Sequence, residues 1–440
     1  MQTAILEPPQ IQKTNYTAVF IIGVLFFVFG FVTWLNGALI PFLKLACELK
    51  TDLQAFFVTT AFYMAYFFLA IPLSKILKVT GFKKGMALGL FIMAVGSILF
   101  IPAANARSFP LFLTGLFVQG TGLALLQTAS NPYMSLLGPI ESAAKRISIM
   151  GIFNKGAGMI GLLILSSIAL KNASELETKI LATTDITEKE ALLDLLASRI
   201  VSPYIIIAIV LAVVAWLVTI SPLPEVDTDK EDETIPVETR KTSVFAYPHL
   251  LLGVLCIFLY VGAEVMAGDA IGMYGRSMGM SLDETKYFTI FTLFAMLVGY
   301  IIGIISIPKY MSQQTGLKIS AISGIIFTAC TFLTHGYTAI TFIALLGLSN
   351  ALMWPAIFPL AISGLGRFTK IGSAMLVMGI AGGALIPLLY GYLKNEDHLG
   401  NSLSFFVCML PCYFYILYYS TSGYKAGKKT PLKITGFNQN

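Results

Sequence analysis

The chain has 440 residues, of which 56% are hydrophobic and only 12% charged, with a mean hydropathy of +0.80. Ordinary soluble domains carry roughly 25% charged residues, so a water-soluble globule is excluded and lipid must be the solvent for most of the chain. The net charge of +6 does not point to nucleic acid, because the lysines and arginines sit in short loops between apolar runs.

A helix needs about twenty apolar residues to cross the hydrocarbon. Twelve segments meet that length, at 18–43, 53–77, 85–104, 109–137, 147–170, 200–222, 248–274, 286–308, 317–335, 338–364, 371–393 and 402–422. The first is too long for a cleavable leader and has no small-residue cleavage site, so it reads as a span. Between the fifth and sixth spans lies a polar stretch at 171–199, in which Glu188 to Asp194 reads as a short amphipathic helix outside the bilayer. Between the sixth and seventh lies an acidic stretch at 223–246 with Asp227, Asp229, Glu231, Asp232 and Glu233, a linker by composition. The expected fold is therefore an all-α membrane protein of twelve transmembrane helices in two pseudo-symmetric six-helix bundles. Its parts are a tail at 1–17, a bundle at 18–222, the linker, a bundle at 247–422 and a tail at 423–440.

Lys75, Lys78, Lys83, Lys84, Lys145, Arg146, Lys309, Lys318, Arg367 and Lys370 fall on one side of this arrangement, with Lys425, Lys428, Lys429 and Lys433 of the tail. By the positive-inside rule that side is cytoplasmic, and with it both termini and the linker. The halves also repeat: Thr80-Gly81-Phe82-Lys83 follows the second span and Thr315-Gly316-Leu317-Lys318 the eighth. Two such halves are the plan of secondary carriers that bind a solute between them near mid-membrane.

A handful of polar residues interrupt the spans. Lys155 in the fifth and Glu264 and Asp269 in the seventh are ionisable groups that cost several kcal/mol each, roughly 2.5–3.5 at the centre of a spanning helix. Two readings are open. Either Glu264 or Asp269 binds a coupling ion with Lys155 as counter-charge, or the lysine and a carboxylate form a fixed bridge between the halves. Gly268 beside Asp269 favours a broken helix, which at this depth lines a site. Gln127 and Asn131 share one face of the fourth span at i,i+4 spacing. With Asn154, Asn36 and Asn350 they supply the amide donors and acceptors that a sugar needs, and Trp34 or Trp354 supplies a flat face for its C–H side. Helix-to-helix bonding and interfacial anchoring are the competing roles for these residues. Glycines 156, 158 and 161 and glycines 379, 382 and 383 allow close backbone approach in the fifth and eleventh spans. The five cysteines sit singly or at i,i+4 in apolar runs without histidine, so no metal site is expected.

Several stretches carry a family resemblance: Trp34-Leu35-Asn36-Gly37-Ala38-Leu39-Ile40-Pro41, Gln127-Thr128-Ala129-Ser130-Asn131-Pro132-Tyr133, Leu136-Leu137-Gly138-Pro139, Phe153-Asn154, Tyr260-Val261-Gly262-Ala263, Trp354-Pro355-Ala356-Ile357-Phe358, Thr369-Lys370-Ile371-Gly372-Ser373 and Gly382-Gly383. In this order they resemble the fucose–proton symporter family of the major facilitator superfamily, which includes bacterial glucose/galactose carriers. The resemblance implies a sugar carrier working by alternating access, in a bacterial inner membrane, driven by protons or sodium, with no other cofactor and as a monomer. The fucose branch has an aspartate where Gly37 stands and a glutamate where Gln127 stands. Gln127 is instead like the glucose/galactose branch, which the resemblance associates with sodium, and a glutamine of some fucose carriers corresponds to Gly151. Lys78 stands where the superfamily has an aspartate. An exporter of sugars or amphipathic drugs on the same fold is the alternative. A membrane-embedded enzyme lacks any supporting motif: no His-Glu-x-x-His, phosphate loop or nucleophile elbow occurs, and His249, His335 and His398 sit singly.

Overall fold

A computed structural model describes residues 16–136, 142–223, 242–394 and 399–427. Most of both tails, most of the linker with its five acidic residues, Leu137-Gly138-Pro139 and His398 lie outside the described residues. Within hydrocarbon every backbone N–H and C=O must find a partner inside the protein, so apolar runs of this length become helices.

The first crossing is made by α1 (Tyr16–Trp34) and α2 (Asn36–Ala46), joined through a break at Leu35. Next comes α3 (Asp52–Ile98), opened by a capping box in which the Thr51 hydroxyl accepts from the Gln54 N–H and the Gln54 side chain accepts from the Thr51 N–H. At about 1.5 Å per residue its 47 residues are about twice the hydrocarbon thickness. Gly81, at φ 74° and ψ 174°, divides α3 into the second and third crossings. That conformation is cheap only for glycine. The short α4 (Phe100–Asn105) completes the third crossing, and α5 (Phe109–Leu136) and α6 (Ala143–Ala169) are the fourth and fifth. Two helices, α7 (Ala173–Ala182) and α8 (Ile186–Ser198), lie over the face opposite the termini before α9 (Val201–Ile220) makes the sixth crossing. The amphipathic helix expected at 188–194 is thus α8, and α7 is an addition to it.

The second half opens with α10 (Pro248–Gly268) and α11 (Ile271–Arg276), which share the seventh crossing around a break at Asp269. After the single turn α12 (Leu282–Thr285), α13 (Phe288–Ser306) and α14 (Gln313–Leu333) are the eighth and ninth. The tenth is α15 (Gly336–Asn350) with α16 (Met353–Ile362), the eleventh α17 (Thr369–Met378) with α18 (Gly382–Leu393), and the twelfth α19 (Asn401–Thr421). Among the described residues eleven apolar helical segments are long enough to span, and one of them, Asp52–Asn105, holds two crossings, which makes twelve. The two repeated tetrapeptides are not structurally equivalent: Gly81 is a left-handed break, whereas Gly316 lies inside the first turn of α14.

The surface is apolar where a soluble protein's would be polar. Ile206, Trp216, Phe294 and Ile305 are each about 60% exposed, which only lipid accommodates without penalty. With an even number of crossings, the ends of α1 and α19 emerge on one face, called here the terminal face. On the far face the halves are tied by polar contacts. Asp52 of α3 pairs with Lys44 and, across the halves, with Lys394. Glu177 of α7 pairs with Arg276 at 2.6 Å, and Ser174 and Asp283 exchange hydrogen bonds of 3.0 and 3.1 Å. On the terminal face α17 packs on α3 and α5, with the Lys370 ammonium 5.9 Å from the Phe82 ring centre. The halves therefore meet on both sides of a central cavity.

Candidate functional site: a cavity between the halves

The cavity has a volume of about 90 Å³, less than the roughly 300–1,000 Å³ of pockets that hold a small-molecule ligand. The halves are drawn together around it. Its walls come from both: Phe26, Phe29, Trp34, Tyr63, Tyr66, Gln127, Asn131, Asn154 and Lys155 from the first, and Tyr260, Glu264, Tyr300, Trp354 and Ile380 from the second.

At its centre the Lys155 ammonium lies 3.0 Å from a Glu264 oxygen, with the two side chains only 8% and 11% exposed. The same ammonium is 4.3 Å from the centre of the Trp34 ring. An indole face is the best aromatic partner for a cation, so α6 holds its charge through one ion pair across the halves and one ring within its own. Trp34 is in turn fixed at its edge, where its indole N–H donates to Asn154 Oδ1 at 3.1 Å. Its ring fills space left by two glycines. A methyl on Gly158 would lie 2.6 Å from Trp34 Cδ1, and one on Gly268 2.5 Å from Cζ3. Trp34 is thereby clamped between α6 and the end of α10, and buried rather than interfacial.

Gln127 donates through Nε2 to the Tyr66 hydroxyl at 3.1 Å, and Asn131 lies one turn on, also in the wall. Trp354 faces the cavity from the other half, stacked on Phe358 at 5.6 Å between ring centres. Gly151 is covered by Tyr300, whose ring would lie 2.5 Å from a methyl there. Gln127, Asn131, Asn154, Trp34, Trp354, Lys155 and Glu264 are therefore brought together around one space. Asn36 and Asn350 are not in its wall. Asn350 accepts a hydrogen bond from the Tyr413 hydroxyl at 2.9 Å, between α15 and α19, a helix-to-helix bond of the kind neutral amides make in membranes. Asn36 is 1% exposed at the start of α2. Asp269 is also off the wall and 1% exposed, so it is not a solvated residue of the far interface.

Sequence reasoning missed Tyr63, Tyr66 and Tyr300, and gave Tyr260, quoted only within a family-like stretch, no role in the site. Aromatic residues make up 12% of the chain, and nothing in the local sequence separates a cavity tyrosine from a packing one. The one available signal, Tyr63 and Tyr66 at i,i+3 on one face, is too common to select. His249 is buried, with Nε2 3.0 Å from the Ser363 carbonyl oxygen, and all five cysteines are free. Among the described residues no group of three metal-ligating side chains occurs. What the arrangement offers chemically is a joint apolar-aromatic and amide surface with a buried ion pair, and no nucleophile beside a base.

Residues 22–388 match the profile of the Major Facilitator Superfamily. The chain is 34% identical over 418 residues to the glucose/galactose transporter of Brucella abortus, covering 94% of this chain and 96% of that one. It is 28% identical over 381 residues to the L-fucose-proton symporter of Escherichia coli, covering 86% of each. The crystal structure of the superfamily transporter FucP in the outward conformation superposes with a TM-score of 0.73 at 25% identity, over 92% of this chain and 99% of that one. A multi-pass helical bundle with its cavity between two halves, and a sequence match over most of its length, make the chain a transporter of the Major Facilitator Superfamily, not an enzyme.

Proposed function

We propose that this chain takes up a hexose-type sugar by cation symport, its halves rocking about the central cavity to expose it to one face and then the other. The observation that carries the reading is the composition of the cavity wall. Amides at Gln127, Asn131 and Asn154 and flat rings at Trp34, Trp354 and the tyrosines converge there, which suits a ligand with hydroxyls on its rim and C–H groups on its face. An exporter of amphipathic drugs calls for a wide apolar pocket. The relatives named for glucose/galactose and L-fucose support the same substrate class.

In this reading Gln127, Asn131 and Asn154 contact the sugar, Trp354 stacks on it, and Lys155, Glu264 and Asp269 carry the coupling to a proton or a sodium ion. No other cofactor takes part. The basic loops put the terminal face in the cytoplasm of a bacterial inner membrane. Because one chain supplies every wall of the cavity, it works as a monomer, with residues 18–222 and 247–422 as its two moving parts.

The test is uptake of labelled glucose, galactose and fucose into proteoliposomes under an imposed inward sodium or proton gradient. The expected result is accumulation of one hexose above equilibrium with one of the two ions. Sugar flux that ignores both gradients, or no hexose flux at all, contradicts the proposal.

A further inference from the structure

Near the cavity, away from Lys286 and Lys394 of the far face, the buried charges do not sum to zero. Lys155 contributes one positive charge, Glu264 and Asp269 two negative ones, and each of the three, taken as a whole residue, is at most 9% exposed. The lysine is engaged by Glu264 at 3.0 Å. Asp269 is 1% exposed, and neither of its carboxylate oxygens has a hydrogen-bond partner. A buried charge without a partner is among the most costly features a fold can hold, and membranes make it costlier.

The surroundings of Asp269 suit a cation. It sits in the gap between α10, which ends at Gly268, and α11, which begins at Ile271. Asp269 and Ala270 keep right-handed helical angles there, so the seam is a local distortion of the helix, and the carbonyl end of α10 carries partial negative charge. The Thr289 hydroxyl lies 2.7 Å from the Gly268 carbonyl oxygen, and the Thr292 hydroxyl 2.8 Å from that of Ala267. From the other half Gly37 packs closely on this place: a methyl there would lie 2.8 Å from Thr289 Oγ1 and 3.4 Å from Asp269 Oδ1. The titratable groups within electrostatic reach of Asp269 are Tyr63 on α3, Lys155 on α6 and Glu264 on α10.

We infer that one monovalent cation, a sodium ion or a proton, binds on Asp269 at the α10–α11 break, between Gly37 of α2 and Thr289 of α13. The inference rests on the symport reading for its role in transport, but not for its existence. It assigns the two acidic residues different tasks: Glu264 holds Lys155, and Asp269 holds the cation. Stoichiometry follows from the charge sum, one cation per chain. Because α2 belongs to the first half and α10, α11 and α13 to the second, occupancy bears on how the halves close. Trp34, wedged against Gly268, sits where its fluorescence senses the event.

The experiment uses the purified full-length chain in detergent, without sugar. Binding of labelled sodium at fixed pH, against choline as control, is followed together with tryptophan fluorescence, and proton uptake is followed in parallel in weak buffer. A saturable site of about one sodium per chain, weakened about 100-fold or more by Asp269→Asn, supports the sodium form. Uptake of one proton per chain that is absent from Asp269→Asn, without sodium binding, supports the proton form. Asp269→Asn binding either cation as the wild type does overturns the inference, as does a wild type that binds neither. Should Asp269→Asn fail to fold, Gly37→Ala is expected to weaken the cation about tenfold by crowding the site, and unchanged affinity there overturns the inference equally. A chain that binds the cation on Asp269 yet carries no hexose leaves this site standing and removes the proposed substrate.

Discussion

A lysine near the middle of a membrane helix persists only with compensation, and Lys155 has two sources of it, the Glu264 carboxylate and the Trp34 ring. Removing the lysine strands Glu264, which is worth about 3–5 kcal/mol in a buried pair. Lys155→Ala is therefore expected to lower the unfolding temperature in detergent sharply, and Lys155→Ala/Glu264→Ala to recover part of that loss. Strictly additive losses in thermal unfolding count against the pair. These two residues were legible in the sequence because each is expensive where it stands. The tyrosines around them were not, since a tyrosine in an apolar helix carries no cost that demands a reason. The role of Gly158 and Gly268 was equally hidden: that both make room for one indole is a fact of three helices meeting.

At the scale of elements, half of the cavity wall comes from interrupted spans, the first, seventh, tenth and eleventh, and half from the second, fourth, fifth and eighth. The break at Asp269 was foreseeable from Gly268. The one at Ala351–Leu352 falls where Pro355 withholds the N–H that the Ala351 carbonyl would accept, whereas at Leu35 neither glycine nor proline stands at the break itself, the nearest being Gly37. The repeat at Thr80-Gly81 and Thr315-Gly316 marked corresponding places in the two halves, but identical residues meet different helix boundaries there. Across the far face α7 reaches from the first half to the second through Glu177–Arg276 and Ser174–Asp283. Partly exposed ion pairs of this kind contribute about 1 kcal/mol or less, a factor of about five in population. Arg276→Ala with Asp283→Ala is expected to favour conformers open at the far face. Spin labels on the exposed residues Leu181 and His335 would then show a longer mean distance than in the parent. An unchanged distance distribution means that α7 is no latch.

For the whole molecule, hydropathy alone was enough to count twelve crossings, because a lipid solvent leaves the backbone no alternative to helix. It did not reveal how the halves sit, and with that the pairing of α6 against α10 and the small volume between them. One charge balance joins these facts. A core of one lysine and two carboxylates needs a cation, and removing either carboxylate makes it neutral without one. Glu264→Gln should then free Lys155 to pair with Asp269, so that the driving ion is no longer required. The measurement that tests this most directly compares gradient-driven hexose accumulation with hexose exchange at zero gradient in proteoliposomes containing Glu264→Gln. The account predicts that accumulation is abolished while exchange continues. Accumulation at the parent level would contradict it.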